Sequence, residues 1–422
     1  MKVLLIYPYF QTGKNNDTLV HPLGIAMLSA KLIEQGIQVK TLDCTFLKPK
    51  VAVKTAVAYH ADIIGIYAMS TMSENAFMLL DQIRQSHQET IYVSGGPLPT
   101  LYASKFAKKF DFVFRGEATI SFPKFCLDYC NALDKDEFVD KLDAAKYPGI
   151  FSEKYRPIDE PAIHLTEKEI NEQPNPDRSD FDHATYQRLS FERTQKKTAS
   201  IMTAYGCPYH CDFCSKPIFG DQLRFRSLDK IFEEIHELKS LGYDNLWIAD
   251  DTFTCNEEFL QQFCLRMSRE QLGLSWSCLS RVDMMHEETY SLMKLSGCIK
   301  VYLGLESGND RILKLMNKGT TTSMIRSTVE AIKKSGLACC GFFIVGYPGE
   351  TVETIEETFS FAKSLELDQV TFNVPYPLPG SRLFEKVKGI NGGDWTFENE
   401  TRFLYKSDFD VQWLKKRIQE TT

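Results

Sequence analysis

The sequence predicts an α/β protein made of two successive βα regions. The first is a doubly wound, flavodoxin-like parallel sheet, and the second is a run of six βα units. Three observations carry this. Short β-rich apolar runs alternate with helical spacing over roughly the first 130 residues, the alternation lapses between 131 and 199, and it resumes at Ser200. The boundaries follow as 1–135, a connector at 136–193, a second domain at 194–385 and a short extension at 386–422.

In the first region, residues 2–7 read as a buried strand, and 23–35 has helical spacing that stops at Gly36, a natural residue just past a helix. Strands are expected at 39–44, 63–69, 91–93 and 112–114, with helices at 51–59 and from Ser73, as its cap, to about 86. Five strands joined by helices imply a parallel sheet covered on both faces, and right-handed crossovers wind it both ways. Ligands of such sheets bind beyond the carboxyl ends of the strands. The segments falling there are 8–23, Ser70-Thr71-Met72, 94–97 and 116–119. Glycines at strand ends let a flat ligand approach the backbone, although Gly95-Gly96-Pro97 reads equally as a plain strand end. No GxGxxG follows the first strand, which argues against a dinucleotide site.

Composition narrows the functional classes. The 422 residues are 43% hydrophobic and 25% charged, with 49 Lys plus Arg against 56 Asp plus Glu and a net charge of −7. That balance is globular and mildly acidic, and it argues against nucleic acid as the main partner, since phosphate binding needs a basic footprint. No apolar run is long enough to span a membrane, and MKVLLIYPYF reads as a first strand rather than a signal peptide. A soluble, cytoplasmic protein without a membrane partner is the expectation. Twelve cysteines in that compartment point to metal ligands, catalytic groups or core packing rather than disulfides.

From Ser200, strands are expected at 200–205, 245–249, 275–279, 301–305, 340–345 and 369–374, with helices between them. An open sheet and a barrel-like closure fit this pattern equally; either way the site lies at the carboxyl ends of the strands. The tight cluster Cys207-x3-Cys211-x2-Cys214 directly follows the first of these strands. Three thiolates can hold three irons of a [4Fe–4S] cluster and leave the fourth without a protein ligand, and an open iron is a chemical site. The alternative is zinc with His210 or a distant cysteine as fourth ligand. Of the other cysteines, most read as core residues; Cys255, near the loop after the second strand, is the one to consider for catalysis. Cys126 and Cys130 share a helix face without a third ligand, and the final 410–422 reads as a last helix.

Cys207-x3-Cys211-x-Phe213-Cys214 resembles the CxxxCxΦC signature of the radical S-adenosylmethionine (SAM) enzymes, whose partial (β/α)6 barrel agrees with the six units. His21-Pro22-Leu23-Gly24, Gly95-Gly96-Pro97 and Arg115-Gly116-Glu117 resemble the cobalamin-binding domain of the class B, cobalamin-dependent branch, and Asn175-Pro176-Asp177-Arg178 with Tyr186 resembles the entry to its barrel. The resemblance implies a [4Fe–4S] cluster on Cys207, Cys211 and Cys214, with SAM chelating the open iron and cobalamin carrying a methyl group to a substrate radical. A DxHxxG motif, whose histidine coordinates cobalt elsewhere, is absent; the branch generally lacks it and binds its corrinoid without histidine.

The implied site residues sit at strand ends. Phe213 would lie near the cluster and adenine, or serve as a hydrophobic plug. Glu306 would face the ribose hydroxyls or the SAM ammonium, or else complement a helix dipole. Arg281 would pair with the SAM carboxylate, or form a surface ion pair. Asp250, beside Asp251, would be a polar SAM contact or a cap. Ile344 and Tyr347, in the run to Gly346-Tyr347-Pro348-Gly349, would pack the adenine, and Pro375 to Gly380 would line the substrate side. For cobalamin the implied residues are Pro22, Leu23, Gly24, Ser70, Thr71, Gly95, Gly96, Pro97, Gly116 and Glu117. The implied outcome is methylation of an unactivated carbon or phosphorus centre of a small-molecule or peptide substrate, with a reductant such as flavodoxin or ferredoxin. The rival is a cyclase or rearrangement enzyme of the same architecture, or a corrinoid or redox sensor.

Overall fold

The structure is a computed structural model that describes residues 1–11, 19–154, 157–214, 218–283, 286–387, 405 and 407–421. The expected segments 8–23 and 386–422 therefore lie partly outside the described residues. The chain divides into two compact units, the first covering residues 1–194 and the second most of the remainder.

The first unit holds β1 (Lys2–Tyr7), β2 (Gln38–Asp43), β3 (Ile63–Tyr67), β4 (Ile91–Gly95), β5 (Phe112–Phe114), β6 (Ile150–Ser152) and β7 (Ile158–Asp159), in the order β2-β1-β3-β4-β5-β6-β7. The first five are parallel in the doubly wound 2-1-3-4-5 order; β6 and β7 add antiparallel at one edge. Alternate residues of one strand point to opposite faces, and each face has its own core. Leu4, Ile6, Ile64 and Ile66 pack with Leu79, Leu80 and Phe106 on one side. Val3, Leu5, Ile63 and Val93 pack with Ile25, Phe122 and Phe125 on the other.

Two expectations are corrected here. Ser73 does not cap the helix Ser73–Arg84; it is its first residue, and its hydroxyl donates to the Ser70 carbonyl at 3.3 Å. The stretch 136–193, expected as a loop-rich connector, supplies β6, β7 and the helix His183–Thr194 to the first unit. Its polar sequence hides this because the strands are only two or three residues long. The 175–186 segment is tied to the same unit. The Ser29 hydroxyl donates to Asp177 at 2.7 Å, and the Tyr186 hydroxyl donates to Asp43 at 2.6 Å.

The second unit contains β8 (Thr198–Ile201), β9 (Ala204–Tyr205), β10 (Arg224–Phe225), β11 (Asn245–Ile248), β12 (Ser275–Ser280), β13 (Cys298–Glu306), β14 (Ala338–Ile344) and β15 (Gln369–Asn373). The run expected at 200–205 breaks at Met202 into β8 and β9, and β9 pairs antiparallel with β10 outside the main sheet. Six parallel strands follow chain order, β8-β11-β12-β13-β14-β15. With right-handed crossovers and no reversal of order, every helix lands on the same face. A single core records this: Ile201, Ile248, Cys278, Val301 and Phe343 pack with Ile235, Phe263, Ile332 and Phe359 from the successive helices. The other face carries the partly buried row Trp247, Tyr302 and Phe342, with ring centroids 5.2 and 5.7 Å apart. One-sided helices curl the sheet into a partial (β/α)6 barrel, which decides between the open and barrel-like readings. Among the described residues no helix is long and apolar enough to cross a membrane.

Candidate functional site

Because the six strands are parallel, Ile201, Ile248, Ser280, Glu306 and Ile344 end on one edge of the sheet, and the cysteine loop opens on that edge. The β9–β10 hairpin brackets the loop, and the Cys207 N–H donates to the Gly220 carbonyl at 3.2 Å. Gly206 turns the chain into it at φ +84°; a Cβ there would stand 2.2 Å from the Gln222 carbonyl oxygen, so only glycine fits. Cys207 is buried and Cys211 and Cys214 are partly buried. The Cys255 thiol hydrogen-bonds Cys207 and lowers its pKa, against the effect of burial. This contact accounts for the position of Cys255, which sequence proximity to the second strand only hinted at.

Cys211 is the electrostatic centre of the site. Burial pushes its thiol up, and the Lys318 and Arg281 cations oppose that. Arg281 is 4% exposed, so it is no surface ion pair. Its Nη1 donates to the Cys211 sulfur at 3.6 Å, its Nε to Asp283 at 2.9 Å, and its guanidinium lies 3.6 Å from the Tyr209 ring centroid. Glu306 ends β13 at φ +65° and accepts from Lys318 Nζ at 2.8 Å. Its partner is thus a side chain, not a helix dipole. Phe213 and Ile344 pack around the apolar group of Ile312, Met316, Tyr347 and Leu383.

Asp250 sits at the end of β11, fully engaged by its own protein. It accepts from the Thr203 N–H at 2.6 Å and from the Thr203 hydroxyl, and burial raises its pKa to about 6. It ties the ends of β8 and β11 together and does not cap a helix. Glu350, passed over in the sequence, does the same for the loop after β14: one carboxylate oxygen accepts from the Gly346 and Tyr347 N–H groups at 2.6 and 2.7 Å. Asp212 is likewise held. Its carbonyl accepts from the Leu383 N–H at 2.8 Å, and its carboxylate meets Lys386 and Arg382, so the helix Arg382–Val387 straps the cysteine loop.

These residues fit a cluster and SAM better than zinc. His210, the nearby fourth ligand of the zinc alternative, is exposed. Three buried polar atoms in the flanking loops, Thr320 Oγ1, the Tyr347 hydroxyl and the second Glu350 oxygen, have no hydrogen-bond partner among the described residues. Buried polar groups are normally satisfied, so such atoms suit a polar ligand.

In the first unit, Tyr7, Tyr67, Gly95 and Phe114 end their strands on one edge. Pro22 precedes the helix Leu23–Glu34, where Leu23 and Gly24 begin it. Ser70 and Thr71 form a 3-10 turn after β3, and Pro97 opens the short helix after β4. The glycines serve the protein itself. A Cβ on Gly96 would meet the Ala68 carbonyl and the Tyr67 ring at 2.8 Å, and one on Gly116 would meet the Ile163 carbonyl at 2.1 Å. Glu117 is also occupied, accepting from the Leu165 N–H at 2.7 Å. Thr119 closes the 116–119 segment expected at the ligand edge, and Ser121 lies just beyond it. The Thr119 and Ser121 hydroxyls, just past β5, are buried without protein partners and suit the amide-fringed rim of a corrinoid. His21 is enclosed by Phe181, His183 and Tyr186 at centroid distances of 5.0, 4.9 and 4.4 Å.

The Radical SAM superfamily model matches residues 201–362, and the B12 binding domain model matches residues 15–125. An uncharacterized methyltransferase of Pyrococcus horikoshii is 31% identical over 404 residues, covering 91% of this chain and 83% of its own length. The anaerobic magnesium-protoporphyrin IX monomethyl ester cyclase of Rubrivivax gelatinosus is 25% identical, covering 92% and 70%. In fold, the chain is similar to the radical SAM methyltransferase TsrM from Kitasatospora setae, with cobalamin and a [4Fe–4S] cluster bound, at a TM-score of 0.73, 18% identity, and 92% and 74% coverage. The two matched domains imply a cofactor set of a [4Fe–4S] cluster, SAM and cobalamin. A cysteine loop at the mouth of a one-sided parallel barrel, joined to a doubly wound domain, thus has its explanation in descent: the chain is an enzyme of the cobalamin-dependent, class B radical SAM family.

Proposed function

We propose that this enzyme methylates an unactivated carbon, or phosphorus, centre of a small-molecule or peptide substrate. When bound, the cluster would supply the electron for reductive cleavage of SAM, and cobalamin would supply the methyl group. Cys207, Cys211 and Cys214 hold the cluster. Arg281 offers its cation to the SAM carboxylate and Glu306 its anion to the ammonium or ribose hydroxyls, while Phe213, Ile344 and Tyr347 form the apolar wall for the adenine. Asp250 acts at one remove, by fixing the loop that leads into the cysteines. In the first unit, Ser70, Thr71, Gly95, Pro97, Thr119 and Ser121 border the cobalamin edge, with Pro22, Leu23 and Gly24 facing it from the first helix; Gly96, Gly116 and Glu117 shape that edge from behind.

The observation that carries the reading is the set of three cysteines on one short loop beside a buried cation and a buried anion at one barrel edge. SAM is zwitterionic at its methionyl end and needs both. A flavodoxin or ferredoxin would deliver the electron.

The test is anaerobic. Reconstituted protein is loaded with hydroxocobalamin, freed of excess corrinoid and assayed for iron and corrinoid. About four irons and one corrinoid per chain are expected. Deuterated-methyl SAM should then place label in the product. Four irons without corrinoid would remove the methylation reading, and SAM cleavage with unlabelled product would favour the second reading, a cyclase-type reaction, which the similarity to the Rubrivivax cyclase supports.

A further inference from the structure

The two faces of the six-stranded sheet in the second unit are packed differently. On the helix side, Ile248, Val301 and Phe343 are wholly buried. On the inner side, the large rings of Trp247, Tyr302 and Phe342 stay half-buried. Large apolar surfaces left partly open in the hollow of a fold mark ligand sites. The row also has a direction. Trp247 is level with Lys300 through Ser277, Tyr302 stands two residues above Lys300, and Phe342 lies opposite Gly304, two residues above Tyr302. It therefore climbs obliquely toward the mouth, where Ile344 stands two residues, about 7 Å, above Phe342. The Tyr302 and Phe342 rings are 12° from parallel at 5.7 Å, and Trp247 closes the low end edge-on at 85°. A cation stands on the same face. Lys300 holds its ammonium 5.4 Å from the Tyr302 ring centroid. Among the described residues it forms no ion pair; Asp368, at the foot of β15, is taken by Lys333 at 2.9 Å and by the Cys339 N–H at 2.7 Å. An ammonium beside a row of rings, without a carboxylate of its own, suits a ligand that brings both a flat ring system and an anion. The ammonium stands near the level of Tyr302, four residues or about 13 Å below Glu306 at the mouth. A ligand held at both ends is on the order of 10 Å long.

We propose that this inner face binds the substrate, and that the substrate is a flat, conjugated multi-ring carboxylate. Its rings lie along Trp247, Tyr302 and Phe342, Lys300 receives the carboxylate, and the opposite end is presented at the mouth. The inference rests on the methyltransferase reading above and deepens it by naming the substrate class, which that reading leaves as any small molecule or peptide.

The test uses the full-length chain, anaerobically reconstituted, with SAM present and no reductant. Two probes share one ring system: pyrene-1-butyrate is flat and anionic, and pyrene-1-butanol is flat and uncharged. Equilibrium dialysis reads the dissociation constant of each for wild type, Lys300→Met, Tyr302→Phe and Tyr302→Leu, and urea unfolding checks that each variant is folded. Wild type should bind the butyrate about tenfold tighter than the butanol. Lys300→Met should erase that difference and leave the butanol constant unchanged. Tyr302→Phe should bind both probes as wild type does, whereas Tyr302→Leu should weaken both about fivefold. No saturable binding of either probe, or affinities indifferent to both Lys300 and Tyr302, overturns the proposal. If Tyr302→Leu does not fold, Lys300→Met decides, and an unchanged preference for the anion overturns it. The methyltransferase reading fails by a different result, missing corrinoid or unlabelled product from deuterated-methyl SAM, which these binding constants do not measure.

Discussion

Glu350 is 8% exposed, and burial pushes its carboxyl from the ordinary 4.5 up to about 7 even though one oxygen accepts two backbone N–H groups. The other oxygen is buried without a partner. A raised folded-state pKa means that the native protein keeps a proton which the unfolded chain has released. The stabilising contribution is full below about pH 4.5 and is lost as the pH rises through about 7. The gap is worth about 3 kcal/mol. Glu350→Gln resembles the protonated form at every pH and keeps a carbonyl oxygen for the Gly346 and Tyr347 N–H groups. Its stability relative to wild type should therefore rise by about 2–3 kcal/mol between pH 5 and pH 8. Trp247, Trp276 and Trp413 belong to the second unit and residues 1–194 contain no tryptophan, so fluorescence-detected urea unfolding reports on the second unit. A stability difference that stays flat from pH 5 to pH 8, or grows toward acid, refutes the reasoning.

Three further outcomes follow from the same geometry. Gly206→Ala forces a Cβ to 2.2 Å from the Gln222 carbonyl at φ +84°, so it should lower iron loading severalfold and destabilise the unit by about 1–3 kcal/mol, read by iron analysis and urea unfolding. Asp250→Asn turns an acceptor of two Thr203 donors into a mixed donor–acceptor within a buried site; a loss of about 1–3 kcal/mol is expected in urea unfolding at pH 8. Thr119→Val with Ser121→Ala removes hydroxyls that have no protein partner, so thermal stability should hold or rise while hydroxocobalamin retention on desalting falls; equal retention would exclude those hydroxyls from the corrinoid edge.

The cysteine loop was legible in the sequence because ligand spacing is local: three residues and then two fix which thiols a short loop can bring together. Arg281 and Glu306 were legible for a related reason, since they end strands whose apolar runs mark where the backbone stops. Lys318 and Glu350 were not. Lys318 is twelve residues beyond Glu306, past a helix, and nothing in its neighbourhood distinguishes it from a surface lysine until the fold returns it to the strand end. The cobalamin-side glycines were legible as unusual residues, but the backbone contacts of two of them were not. Gly96 and Gly116 answer to the Ala68 and Ile163 carbonyls, which belong to segments remote in the chain.

The same division runs through the fold. Apolar periodicity by itself determined that both halves are βα repeats, with nearly correct element positions, because burial of a strand or helix face is written into every second or every third-to-fourth residue. Strand order is not written that way. The two halves have the same alternation, yet one reverses order after β1 and buries a core on each face of its sheet, while the other keeps chain order and packs its main core against one face. Only tertiary packing chose between them, because the face a helix covers depends on which strand its crossover reaches, and that choice is made by contacts far apart in the sequence.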